Sequence, residues 1–290
     1  MARTMVSLVV ATLGMGASLS ASALSCDGSL YVSQGTGLNP ATMELFISPA
    51  VIPVAFVSQG TSPNNYNATG YNPGNNQLYG VVNNELFQIA ENGATTSLGT
   101  IANLPNVAYN SGAFSSAGVY YVKAFGNNNA IYAIDVLASP PTATVINLSA
   151  SFQTSDMGWT GGLLYSTADN GQLYAIDVST GSTTALGSPD TTGGVLGAQF
   201  SGTNGLFGVA NNGSGFFQIN LTTGQRTRLS AAPSSSSNDG ASCPNAAVAV
   251  TVPPVVTPPA TPVPLDSPWM LLALAGLLGI GAARLRNRTH

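Results

Sequence analysis

A chain of 290 residues with only 6% charged residues and 33 glycines is long enough for one large all-β domain or two smaller ones. Four of its seven basic residues (Arg3, Arg284, Arg286 and Arg288) lie near the ends; the body keeps Lys123, Arg226 and Arg228 against ten carboxylates, a net charge of −7. No basic patch is available for a phosphate backbone, so nucleic acid is excluded as a partner, and the surface must be made polar by amides and hydroxyls.

The first element in chain order is a targeting segment. Arg3 gives a positive start, Met5 to Ala17 is mostly apolar, and Ala21-Ser22-Ala23 forms an A-x-A cleavage site. Residues 1–23 therefore read as a secretory signal peptide rather than a membrane span. The competing reading is a lipoprotein signal acylating Cys26. It wants a leucine-like residue three places before the cysteine, where Ala23 stands.

Residues 26–245 repeat themselves. One aromatic series runs Tyr31, Tyr79, Tyr121, Tyr165, Phe207, and a second runs Phe46, Phe87, Tyr132, Tyr174, Phe217. A glycine series, Gly70, Gly112, Gly158, Gly197 and Gly240, shares their period near 43 residues. Turn signals such as Asn170-Gly171, Thr180-Gly181, Asn212-Gly213 and Thr223-Gly224 divide each unit into four short strands. Four strands per 40–45 residues is the pattern of a β-propeller blade, which predicts an all-β, five-bladed propeller. The glycines are placed on the innermost strands, where blades crowd the axis, and the aromatics in the wedges between blades. A β-sandwich with accidental periodicity is the rival fold.

The first unit, Ser29 to Ser58, lacks its inner strand, whereas the fifth copy of that strand, around Gly240, has no outer strands after it. A ring resolves both deficits if the C-terminal strand completes the first blade. Cys243 then ends that strand and Cys26 begins its neighbour, so a disulfide is expected across 217 positions. Export permits the bond. Units of the form G-x-LY…LY-x-ID-x-TG with a closing NDGASC (Asn238 to Cys243) resemble a family of secreted bacterial propeller-like repeat proteins of unknown function. That resemblance implies the fold and export and supplies no catalytic residues.

Chemistry is sparse. The lone histidine, His290, lies in the basic tail, so the body can build no Ser-His-Asp or Cys-His site and no His-based zinc site. No P-loop motif is present. What remains is Asp156 and Asp239, which precede inner-strand glycines, with Asn67, Asn110 and Asn238 near equivalent places. Two readings stay open. In the first, these residues line a central pocket for a carbohydrate or a cation such as Ca²⁺, or the two carboxylates serve a propeller glycoside hydrolase or lyase. In the second, each Asx side chain bonds a local turn. Asp135, Asp177 and Asn220 occupy matching places after the third strands and read as turn caps.

Beyond the body, residues 246–264 open on a strand-like run (Ala246 to Val252) and continue as a Pro-rich spacer. From Pro253 to Pro264 an extended polyproline chain would span about 37 Å. Residues 265–290 hold an uncharged run, Trp269 to Ala283, ended by the basic stop Arg284, Arg286 and Arg288. As a helix that run is about 22 Å long, short of the hydrocarbon core unless the arginines snorkel. Spacer, motif, apolar run and basic tail together resemble the C-terminal sorting signals that exosortases process in Gram-negative bacteria. Val263, Pro264, Ser267 and Trp269 match the I-P-T-L-S-E-W variant, while Leu265, Asp266 and Pro268 depart from it. The resemblance implies an exosortase-type processing enzyme as partner and at least transient tethering to the inner membrane. The protein would then be delivered to the cell surface, the outer envelope or the extracellular space as a non-catalytic structural or ligand-binding module, with an extracellular glycan or matrix component as one candidate ligand. A plain C-terminal membrane anchor is the alternative, and both place the body outside the inner membrane.

Overall fold

The computed structural model describes residues 24–35, 42–234 and 237–248. The signal peptide, the Pro-rich spacer from residue 249, the sorting motif at Val263, Pro264, Ser267 and Trp269, and the basic stop at Arg284, Arg286 and Arg288 lie outside the described residues. Among the described residues every regular element is a strand, and no helix is long and apolar enough to cross a membrane.

The strands fall into five four-stranded antiparallel sheets. Blade I contains β1 (Leu30–Gly35), β2 (Met43–Ser48) and β3 (Val57–Ser62). Blade II contains β4 (Asn67–Asn72), β5 (Gln77–Val82), β6 (Glu85–Ile89) and β7 (Thr95–Thr100). Blade III runs β8 (Tyr109–Phe114), β9 (Tyr120–Ala124), β10 (Asn128–Asp135), β11 (Thr142–Phe152), and blade IV runs β12 (Gly158–Thr160), β13 (Leu163–Thr167), β14 (Leu173–Asp177), β15 (Ser182–Leu186). Blade V holds β16 (Leu196–Gly202), β17 (Gly205–Ala210), β18 (Phe216–Ile219) and β19 (Arg226–Ser230), and β20 (Asn238–Ser242) follows it. β20 pairs antiparallel with β1, Gly240 opposite Val32, so the last strand supplies the inner edge of the first blade. Cys26 and Cys243 are disulfide-bonded at this seam, with Cα atoms 5.2 Å apart. The five-bladed ring and its stapled closure are as the repeat count predicted.

The core is divided as a propeller requires, into five apolar clusters, each filling the wedge between neighbouring blades. Tyr31, Leu45, Tyr71 and Leu78 join blades I and II. Tyr79, Leu86, Phe114 and Tyr120 join II and III, and Tyr121, Phe152, Met157 and Leu164 join III and IV. Leu173, Leu206 and Phe217 join IV and V, and Phe200, Phe207, Leu30 and Val32 close V onto I. Six of the ten recurrent aromatics are buried; Phe46, Tyr132, Tyr165 and Tyr174 keep part of their surface in solvent.

Four of the five series glycines sit on inner strands against a neighbouring blade. A Cβ on Gly112 would stand 1.9 Å from the Ala68 carbonyl oxygen, and one on Gly240 would stand 2.5 Å from that of Gln199. Both neighbours are backbone and cannot rotate away. Gly112→Ala is therefore expected to cost about 2–3 kcal/mol of unfolding free energy, measured by urea denaturation. The fifth assignment needs correction. Gly197 lies in a bulge at the start of β16, and Gln199 opposite Gly208 takes the place that Gly112 and Gly240 hold in blades III and I. At Gly197 an added Cβ would instead meet the side-chain oxygens of Asn211 and Asn238, at 1.8 and 2.0 Å. The expected caps are in place: Asp135, Asp177 and Asn220 each accept backbone N–H groups two or three residues on. The strand-like run from Ala246 is not a strand over its described part.

Antiparallel alternation gives the ring two distinct faces. The turns after the inner strands, the disulfide and both ends of the described chain lie on one face. There Leu24 N–H donates to Asn76 O at 3.0 Å, and Asn245 reaches Ser116 O at 3.2 Å. Val248 N–H donates to Asn204 Oδ1 at 2.9 Å on the same face. Residues 244–248 thus cross the end of the axis, and Gly28 (φ +80°) gives them room, since its Cβ would lie 2.1 Å from Ala247 O. The opposite face carries the loops 125–127, 153–155, 168–172, 187–195 and 211–215.

Candidate functional site

The five sequence-selected pocket residues all reach the inner ring, where Asp156, Asp239 and Asn110 tie blades together. Asp156, just before β12, accepts Met157 N–H on Oδ1 at 2.7 Å, which is the local bond expected of an Asx residue before glycine. Its Oδ2 accepts Gln199 N–H at 2.5 Å from blade V and Gly240 N–H at 3.0 Å from blade I. Asp239 accepts the same Gly240 N–H on Oδ1 at 3.1 Å and Thr69 N–H of blade II on Oδ2. The two carboxylates share one donor at the centre of the ring, and both are fully buried. Asn110 Nδ2 donates to Thr154 O at 2.8 Å, joining blades III and IV, while Asn67 accepts Ala68 N–H at 2.8 Å. Asn238 is buried beside Asn211 and Gly197.

Residues that the sequence reading passed over complete the ring. Ser242 Oγ accepts Ser201 N–H at 2.8 Å between blades I and V, and the Tyr120 hydroxyl donates to Ala68 O between II and III. Each of the five joints therefore carries a hydrogen bond near the axis. Gln199 Nε2 also donates to Asp156 O at 2.6 Å, and Ser166 Oγ donates to the same oxygen at 2.9 Å. The space left among Gly70, Gly112, Met157, Gln199 and Ser242 is about 10 Å³, room for one water at most.

The expectation of Asp156 and Asp239 at the mouth of an open funnel is corrected on this geometry. The carboxylates stand inside a filled axis. Inter-blade N–H donors surround them, whereas Ca²⁺ seeks six to eight oxygens. Among the described residues no three or more His, Cys, Asp or Glu side chains gather into a cluster that would hold a metal ion.

Enclosure has an electrostatic consequence. Burial first, and then the charge of Asp239, pushes the Asp156 carboxyl well above the usual carboxylate range. Burial likewise raises Asp239, to about 7. Tyr120, buried beside both, is raised too, so it stays a donor. The folded pair holds protons that the unfolded chain releases near pH 4, and stability present at acid pH is lost as pH rises through about 7. The thermal midpoint is expected to fall by several degrees from pH 5 to pH 8, with a smaller fall in Asp239→Asn. A midpoint that rises over that range in both proteins would contradict the raised pKa of the enclosed pair.

A further hollow is open to solvent. On the loop face, between blades III and IV, a cleft of about 400 Å³ is lined by Asn127, Gln153, Asp169, Asn170 and Tyr174. The Tyr174 ring stacks on Phe152 with centroids 4.5 Å apart. Behind it lies Lys123, 1% exposed, its ammonium 4.9 Å from the Phe152 centroid and donating to Asn128 Oδ1 at 2.9 Å. Burial lowers the Lys123 pKa to about 8. Tyr174 belongs to the aromatic series and reads as core from sequence. The loops around it meet only once two blades are side by side, so no local pattern marks the cleft.

Fold and axis together define a class: a disulfide-closed, five-bladed β-propeller with a polar, filled centre. Within that class the chain belongs to the family described as a repeat of unknown function (DUF6923), whose model matches residues 21–245. No curated protein matches it. Similar solved structures include a catalytically inactive virginiamycin B lyase from Staphylococcus aureus with quinupristin, 17% identical over 69% of this chain and 70% of that one, TM-score 0.41. A streptogramin B lyase is 12% identical over 71% and 74% of the two chains, TM-score 0.43. Glutaminyl cyclase of Myxococcus xanthus is 13% identical over 57% and 69%, TM-score 0.43. Likeness at this level carries no argument about activity.

Proposed function

We propose that this chain is an exported propeller, sorted to the cell surface or its matrix, that works as a non-catalytic binding or structural module. The observation that carries the reading is that both ends of the described propeller, Leu24 and Val248, lie on the stapled face, so the loop face carries neither. Leu24, the first residue after the expected cleavage point, is buried there, and its N–H is held by Asn76. Cys26–Cys243 suits an oxidising compartment. In this reading an exosortase-type enzyme processes the tail at the sorting motif, after transient tethering to the inner membrane. The buried carboxylate pair supports a structural axis over glycoside hydrolysis, because hydrolytic carboxylates flank a bound sugar, and here they share a single N–H.

Intact-mass analysis of protein released from whole cells by mild surface extraction tests this. The expected species begins at Leu24 and ends near Pro264. A chain still carrying both Met1 and His290 would refute export and processing together. Turnover of a glycan panel that is lost in the Asp156→Asn, Asp239→Asn double variant while its fold persists would restore the enzyme reading.

A further inference from the structure

The cleft between blades III and IV combines three features that seldom meet by accident on a surface so poor in charge. It is concave and of small-ligand size, at about 400 Å³. Tyr174 offers a partly exposed aromatic wall, held by Phe152 stacked behind it at 4.5 Å and 20°. Around that wall stand hydrogen-bonding groups fixed before any ligand arrives. Asp169 Oδ1 accepts Ser155 Oγ and Oδ2 accepts Gln153 Nε2, both at 2.8 Å, which sets the carboxylate plane and leaves each oxygen a further lone pair. Asn170 lines the cleft and caps Gln172 N–H through Oδ1 at 3.1 Å, a bond that leaves its amide N–H groups unused. Asn127 adds an exposed amide.

We infer that this cleft binds a neutral, hydroxyl-rich sugar chain, with a pyranose face against Tyr174 and vicinal hydroxyls between Asp169 and the Asn127 and Asn170 amides. A pyranose presents C–H groups on its face and donor-acceptor hydroxyls at its rim, which matches one aromatic wall edged by amides and a carboxylate. Asp169 and the net charge of −7 in the body turn away uronates and other anionic sugars. Position agrees: the cleft opens on the loop face, opposite Leu24 and Val248. A larger hollow of about 580 Å³ at blade III lies on the stapled face, is walled by Val119, Ile134 and Leu137, and has no aromatic ring.

The inference rests on the display reading above, and its test separates the two. Full-length mature protein is applied to immobilised glucan, mannan, galactan and N-acetylglucosamine oligomers, with polygalacturonate as the anionic arm; protease accessibility of the propeller on whole cells is scored alongside. At least one neutral glycan is expected to bind. Tyr174→Ala should weaken it at least tenfold and Asn127→Ala several-fold, while Leu137→Ser on the other face leaves it unchanged. Asn127 is exposed, so its variant decides the matter if Tyr174→Ala unfolds. No neutral glycan bound by the folded protein, preference for polygalacturonate, or equal binding by both cleft variants would overturn the site, even with the propeller exposed on cells. A propeller hidden from protease would instead refute the display reading.

Discussion

Replacing both Cys26 and Cys243 by serine is expected to lower the unfolding free energy by about 5 kcal/mol, or roughly 10–20 °C in thermal midpoint. The magnitude follows from the 217-residue span that the bond closes, because the unfolded chain regains the entropy that so long a loop withholds. The ring raises the stakes. β20 reaches blade I only from the far end of the chain, so the same bond that restrains the unfolded state also holds the seam β20–β1 shut. Calorimetry of the double variant against wild type measures the loss. Unchanged stability would mean that the hydrogen bonds of β20 to β1 close the ring unaided.

Asp156→Ala is the second large effect, expected at roughly 3–5 kcal/mol, with each orphaned buried donor costing about 1–3. Its carboxylate answers Met157, Gln199 and Gly240 N–H groups, three strands' worth of buried backbone. Gly240 keeps Asp239 as an acceptor, so Gln199 and Met157 lose most. Asp156→Asn should cost less, since one oxygen still accepts, although its amide nitrogen must then face a donor. Urea titrations of the two variants rank them, and equal stabilities would show that the cross-blade bonds are dispensable.

The ring was legible because it repeats. Aromatics such as Tyr79, Tyr121 and Phe207 return every blade, and a missing inner strand at Ser29 with a spare one at Gly240 can be answered only by closure. Gly197 misled because a bulge at Leu196 moves the register, and bulges leave no mark on a period. The axis was half legible. Asp156 and Asp239 stand out as acids before glycine, and their local bonds to Met157 and Gly240 follow from that pattern. Their second oxygens reach Gln199, 43 residues away, and Thr69, 170 residues away, contacts that only the closed ring creates. Tyr174 was hidden for the same reason, an aromatic of the core series left partly in solvent between the loops of blades III and IV.

Peptide mapping of surface-released protein under non-reducing conditions tests the central claim, an exported ring stapled at its seam, most directly. One cross-linked peptide pair joining Cys26 to Cys243, with Leu24 at the amino terminus, is the predicted result. Two free thiols, or either cysteine carrying lipid or a different partner, would contradict it.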